Sequence, residues 1–378
     1  MQIEQPHALG ARWIHPMLGA PLENHWINIT DCNVDSITRE PAYAPARYLG
    51  NSSVILPAAI NAHAHLELSQ LEAPLDVPSR TMSDWIAALV AFRRSAVYDA
   101  EKAIQQALCR PDFLESTAVV ADIAPDFAVD RRQTTDDRRF PLTTHNVKWL
   151  PFTELIAWRH EAAKNLHFPT SIFGLSPHAP HTICPALLEK AITQNVPLAM
   201  HLAETTEELQ LLRHHHGPLL DMMRRVDPDY NPKSVLLGKR PMDYLQLLSA
   251  APSAFVIHGN YLDDEELRFL AAHRETMSVV YCPRSHAYFR HVPYPLKKML
   301  DYGVRVLLGT DSLASVPNLC FAEEMQFAIT QHPTISPEII YRLGTLEGSK
   351  AFDLLSEGFG TIQPGSPARF VMFVTTRQ

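Results

Sequence analysis

His63-Ala64-His65 sets two imidazoles one residue apart at the end of the apolar run Ile55-Leu56-Pro57-Ala58-Ala59-Ile60-Asn61-Ala62. On an extended backbone, side chains at i and i+2 point to the same side, so both rings can reach one metal ion without a bend in the chain. Imidazole nitrogen suits zinc, iron, nickel and copper. An HxH alone is weak evidence in a chain with 19 histidines. Later segments strengthen it, because further apolar runs also end in ionisable residues. They end in Ser176-Pro177-His178-Ala179-Pro180-His181, His201-Leu202-Ala203-Glu204, His258-Gly259-Asn260, Cys282-Pro283-Arg284-Ser285-His286 and Gly309-Thr310-Asp311-Ser312. One such residue is readily a core histidine or a helix cap. Six in succession point to a shared site.

Something must bring these ends together. Short apolar runs cover Val54 to Ile60, Thr117 to Ile123, Val147 to Phe152, Ser171 to Leu175, Val196 to Met200, Ala254 to Ile257, Met277 to Tyr281 and Val304 to Leu308. Intervals such as Ser83 to Leu108, Pro185 to Gln194, Glu204 to His215, Asp263 to His273, Tyr294 to Asp301 and Leu319 to Gln331 carry helical periodicity. Buried strands alternating with helices predict parallel βα units. Eight of them predict an α/β fold, a (β/α)8 TIM barrel, whose strand C-termini all converge on one face. An open doubly wound sheet is the competing fold, but no Gly-rich phosphate loop follows the first run. Short strand-like pieces before about Leu56, and a turn and strand after Gly360, predict a small β domain. The expected division is 1–55 with 358–378 as the β domain and 56–357 as the barrel. Asp126 to Thr144, rich in charge and Thr, reads as a loop.

Composition removes several classes. The chain has 378 residues, is 46% hydrophobic and carries a net charge of -8. Without a long basic run, nucleic acid is a poor partner. No apolar stretch nears the roughly 20 residues that span a bilayer, and no secretory signal is visible. Five scattered cysteines with no CxxC pair point to a reducing cytoplasm. The expected partner is a small-molecule substrate, and a homo-oligomer stays open. His214-His215-His216 reads as a solvated helix end. Cys282 has no His/Asn partner in sequence, and Met222-Met223 reads as packing.

The ordered set HxH, HxxE, His and Asp resembles the amidohydrolase superfamily, over nearly the whole chain. His65-Leu66-Glu67-Leu68-Ser69, Ser176-Pro177-His178-Ala179-Pro180, His201-Leu202-Ala203-Glu204-Thr205 and Gly309-Thr310-Asp311-Ser312 are similar to its mononuclear aminohydrolases. Leu66-Glu67-Leu68-Ser69 with Asp84-Trp85-Ile86 is most similar to the aminodeoxyfutalosine deaminases of the alternative menaquinone pathway. S-adenosylhomocysteine and methylthioadenosine deaminases and triazine chlorohydrolases are close relatives.

The resemblance implies one divalent metal, zinc ahead of iron, held by His63, His65, His201 and Asp311. The fourth run lacks the Lys that binuclear relatives carry there. Glu204 matches the acid/base residue and His258 the histidine beside the metal, with Asp311 sharing in catalysis. His178, Trp85, Arg93, Ser285 and His286 are candidate substrate contacts, each with a packing alternative. The implied activity is removal of an exocyclic amine as ammonia from a 6-aminopurine nucleoside-type substrate. A chlorohydrolase or another C–N hydrolase (guanine, cytosine or triazine type) is the alternative. A ligand-free scaffold is disfavoured because every ligand position is intact.

Overall fold

In the computed structural model, residues 5–77, 79, 81–125, 143–144, 147–159, 161, 168 and 172–374 are described. Two sheets form the frame. The smaller contains β1 (His7–Ile14), β2 (Leu22–Thr30), β3 (Asn33–Thr38), β4 (Ala46–Tyr48), β5 (Ser53–Pro57) and β15 (Phe370–Val374). Its order is β15-β5-β1-β2-β3, with β4 on β1. The larger contains β6 (Ala59–Ala64), β7 (Thr117–Ala124), β9 (Val147–Leu155), β10 (Gly174–Pro177), β11 (Leu198–Leu202), β12 (Ala254–His258), β13 (Met277–Tyr281) and β14 (Val306–Leu308), with a short antiparallel β8 (Thr143–Thr144) on β9.

Those eight strands run parallel in the order β6-β7-β9-β10-β11-β12-β13-β14, each in one of the expected apolar runs or overlapping it. Continuous Val/Ile/Leu/Ala runs suit strands buried on both faces. The sheet closes as a (β/α)8 barrel at a bridge between Ala64 and Asp311. Inside it, Phe255 stacks on Phe352 at 4.5 Å and meets Phe152 edge-on at 5.8 Å. With Ile60, Ala62, Val119, Ala121 and Leu307 they form the packed interior. A second apolar layer lies between strands and helices, through Leu187, Leu245, Leu267, Met299 and Met325.

The structure departs from the expected first run, Val54 to Ile60, by splitting it. Ser53–Pro57 belongs to the small sheet, pairing with β15 and β1, and Ala59–Ala64 to the barrel. The bonding partner changes between neighbours: Ala58 N donates to Arg369 O and Ala59 N to Ser116 O, both at 2.8 Å. Both halves are fully buried, so no change of period marks the hand-over. Of the expected loop Asp126 to Thr144, all but β8 lies outside the described residues. Among the described residues no helix is long and apolar enough to cross a membrane.

Asn61 stitches the closure. It is fully buried, its Nδ2 donates to Thr310 Oγ1 at 2.8 Å, and its Oδ1 accepts from Thr310 N at 3.1 Å. Asn61→Ala removes both side-chain bonds to Thr310, each worth about 0.5–1.5 kcal/mol, so it should cost about 1–3 kcal/mol. Urea unfolding checks this; an unchanged midpoint would show that the seam does not depend on Asn61.

Candidate active site

The histidines arrive from three strand ends. His63 lies in β6 and His65 directly after it, so the two rings sit 4.8 Å apart. His201 lies in β11 and His258 ends β12. The chain then turns sharply. Ala203, His258 and Asp311 have φ of 53°, 67° and 63°, the left-handed region that L-residues avoid. Such conformations cost on the order of 1–3 kcal/mol each and persist where surrounding contacts impose them. Here Glu208 accepts from Ala203 N and Glu204 N at 2.9 Å, Tyr294 donates its hydroxyl to His258 O at 2.9 Å, and Asp311 N donates to His63 O at 3.1 Å.

His63, His65 and His201 bring one ring nitrogen each to within 4.8 Å of one another. His65 Nε2 and His201 Nε2 are 3.3 Å apart, and Asp311 Oδ1 lies 3.8 Å from His63 Nε2. Burial lowers the pKa of all three imidazoles, that of His201 to about 4, so their ring nitrogens are neutral and offer lone pairs. Both His63 ring nitrogens and His65 Nδ1 are buried without a hydrogen-bond partner among the described residues. Orphaned polar atoms of this kind are costly unless something fills the gap. Three imidazoles and one carboxylate match the donor set of a catalytic metal with an open position.

The supporting contacts orient these donors. His201 Nδ1 faces His178 O at 3.0 Å, which fixes the tautomer and frees Nε2. Asp311 Oδ2 accepts from Ser285 Oγ at 2.5 Å and Ser315 Oγ at 3.1 Å, leaving Oδ1 towards His63. Burial raises the Asp311 carboxyl to about 6, against the pull of those hydroxyls. Glu204 Oε1 stands 3.3 Å from His258 Nε2. Burial first, then Asp311 and Glu208, push its carboxyl well above the usual range. Asn260 Nδ2 donates to Glu204 O at 2.8 Å and holds the turn from the far side.

A cavity of about 250 Å³ opens over this cluster. His65, His178, His201, Glu204, His258 and Asp311 form its polar floor. The outer wall is apolar, from Trp85, Ile86, Leu89 and Val90 on one helix (Met82–Arg93) and Leu219, Met222, Met223 and Val226 on another (Pro218–Val226).

Of the expected substrate contacts, His178, Trp85 and Arg93 line the cavity. Ser285 instead holds Asp311, and His286 packs against His291 and Tyr294 outside the lining. Met222 and Met223, read as packing from sequence, pack and also line the cavity. Glu67 and Glu154 went unassigned. Glu67 is fully buried between Arg93 Nη2 and Tyr98 Oη, each at 2.6 Å. Glu154 Oε1 lies 3.8 Å from His178 Nε2. No local spacing signals either residue, because their partners come from other elements.

A parallel barrel with imidazoles and a carboxylate converging at its strand C-termini is the arrangement of a metal-assisted hydrolase. Residues 54–377 match the amidohydrolase family, and the chain belongs to it; it is a hydrolytic enzyme. Among curated relatives, it is 28% identical to an aminodeoxyfutalosine deaminase of Deinococcus radiodurans, over 84% of this chain and 77% of that protein. It is 32% identical to a 5-methylthioadenosine/S-adenosylhomocysteine deaminase of Pyrococcus furiosus, over 54% of this chain and 46% of that protein. In structure it is similar to Helicobacter pylori aminofutalosine deaminase in complex with methylthio-coformycin. The TM-score is 0.75 at 19% identity, over 98% of this chain and 93% of that one.

Ser285→Ala removes the shorter of the two bonds to Asp311 Oδ2. Loss of such a supporting contact typically weakens metal affinity about 10–100-fold. Chelator competition should show a loss near the lower end, since Ser315 remains; an affinity equal to wild type would show that Ser285 does not hold Asp311 for the metal.

Proposed function

We propose that this chain is a mononuclear metal-dependent deaminase that releases the exocyclic amine of a 6-aminopurine nucleoside-type substrate as ammonia. Aminodeoxyfutalosine is the first candidate substrate. The observation that carries the reading is Glu204 Oε1, 3.3 Å from His258 Nε2 at the floor of a cavity whose outer wall is apolar. The name of the Deinococcus radiodurans relative supports the choice of substrate.

In this reading His63, His65, His201 and Asp311 hold the metal, zinc ahead of iron, as three imidazoles and a carboxylate accept either. When bound, such an ion supplies a Lewis acid that lowers the pKa of water from about 15.7 towards 7. Asp311 and His258 orient the attacking water, and Asp311 Oδ1 takes its proton. Glu204 has a raised pKa, so it enters the reaction protonated and donates to the ring nitrogen beside the amine-bearing carbon. The carboxylate left on Glu204 takes the proton of the new hydroxyl as the carbonyl forms and passes it to the amine, which leaves as ammonia. Asp311 then gives up the proton it took from water and Glu204 regains one, so both carboxyls return to their starting states. His178, Trp85 and Arg93 contact substrate, while Ser285 acts through Asp311. The catalytic unit begins at β6, after β5 ends at Pro57 in the small sheet, and runs to about 357, with the small sheet as a flanking β unit.

The test is ammonia release, with loss of the adenine absorbance, from zinc-loaded protein given aminodeoxyfutalosine, methylthioadenosine or S-adenosylhomocysteine. Turnover of at least one is expected. No ammonia from any of them, with chloride released from a chlorotriazine, would overturn the deaminase reading. Glu204→Gln keeps the shape and loses the proton, so kcat should fall about 10²–10⁴-fold with zinc content unchanged.

A further inference from the structure

We propose that the opposite end of the barrel carries a second binding site, for a small organic anion: a phosphate or carboxylate group on a short apolar body. Arg305 immediately precedes β14, so it lies at the strand's N-terminal end, away from the catalytic cavity. A separate cavity of about 190 Å³ is lined there by Arg274, Arg305 and Arg342, by Glu347, and by an apolar wall including Leu300, Val306 and Leu343.

The guanidinium groups are under-used. Each Arg offers five N–H donors. Arg305 is 7% exposed, yet among the described residues its side chain reaches only Glu275, through the carbonyl at 3.2 Å and the carboxylate at 3.3 Å. Its Nε is buried without a partner. Glu275 is 84% exposed and is shared with Arg274 Nε at 3.9 Å, so it is a loose counter-ion for both. Arg342 donates to Met17 O at 3.1 Å and lies 3.6 Å from Glu347, which Lys350 also engages at 3.1 Å. Four cations therefore share two carboxylates, in a chain whose net charge is -8.

Gly303 keeps the floor open. It takes φ 85° at the end of the helix Leu296–Tyr302, and the nearest atom a Cβ there would meet is Arg274 Nη1 at 3.9 Å. Guanidinium forks match the planar oxygens of carboxylate and phosphate. The cavity is smaller than the catalytic one, about 190 against 250 Å³, which fits a smaller ligand. The apolar wall favours an anion that carries carbon over a bare inorganic ion.

Calorimetric titration of the full chain with phenyl phosphate, benzoate and inorganic phosphate tests this. Phenyl phosphate or benzoate should bind, more tightly than inorganic phosphate. Preference between the first two identifies the headgroup. Arg305→Gln and the half-exposed Arg274→Gln should each weaken binding by about tenfold, or 1.4 kcal/mol, without changing metal content. Arg274→Gln keeps the test sound if Arg305→Gln fails to fold. Absence of binding at 10 mM ligand, or affinities equal to wild type in Arg274→Gln, would overturn the proposal. The second result would place the anion elsewhere, for instance beside Arg93 in the catalytic cavity. Deaminase activity enters none of these readouts, so this proposal fails or stands apart from the previous one.

Discussion

His63 O accepts backbone hydrogen bonds from Thr310 N and Asp311 N, both at 3.1 Å, and Asp311 O accepts a longer one from His65 N at 3.4 Å. These bonds join the first barrel strand to the chain beyond the last. They close the sheet at the same residues whose side chains face one another across the site. Gly309 permits the approach, since a Cβ there would sit 2.9 Å from His63 Cβ. Asn61 fills the space behind the seam with its own bonds to Thr310. Barrel closure and site geometry are therefore one constraint. Separating β6 from Asp311 would open the barrel and pull the carboxylate away from the imidazoles together.

Closure creates the electrostatic setting. Buried imidazoles are held neutral, while burial pushes the Glu204 and Asp311 carboxyls up. Such opposed shifts suit a site that needs lone pairs on nitrogen and a proton on one carboxyl. Beside it, Arg93 stays charged despite partial burial because Glu154 and Glu67 outweigh the loss of hydration. The same Glu67 accepts from Tyr98. This ion network braces the helix that supplies Trp85 and Leu89 to the cavity wall. The left-handed turns at Ala203, His258 and Asp311 fall at the strand ends, where side chains must be re-aimed into the mouth. Strand geometry alone would send alternate residues outward.

Much of this was legible in the chain. The eight apolar runs, the helical intervals and the ordered ionisable residues at run ends are local patterns, and a parallel barrel follows from their alternation. The ionisable residues at run ends were visible as a pattern; the roles given to His63, His65, His201, Asp311 and Glu204 came from the resemblance to the amidohydrolases. Other features had no local signature. Val54 to Ile60 reads as one strand because both halves are buried, although they serve different sheets. Ser285 reads as a pocket residue, but its hydroxyl is spent on Asp311, 26 residues away.

What the sequence by itself determined was the kind of donors, their order and the strand count, because burial and period are written along the chain. The tertiary structure decided which donors meet and what surrounds them. Asn61 finds Thr310 across 249 positions, and Arg93 finds Glu67 across 26. The two apolar helices that wall the cavity are likewise far apart in the chain. Periodicity reports that a side chain is buried; only closure of the barrel fixes what it is buried against.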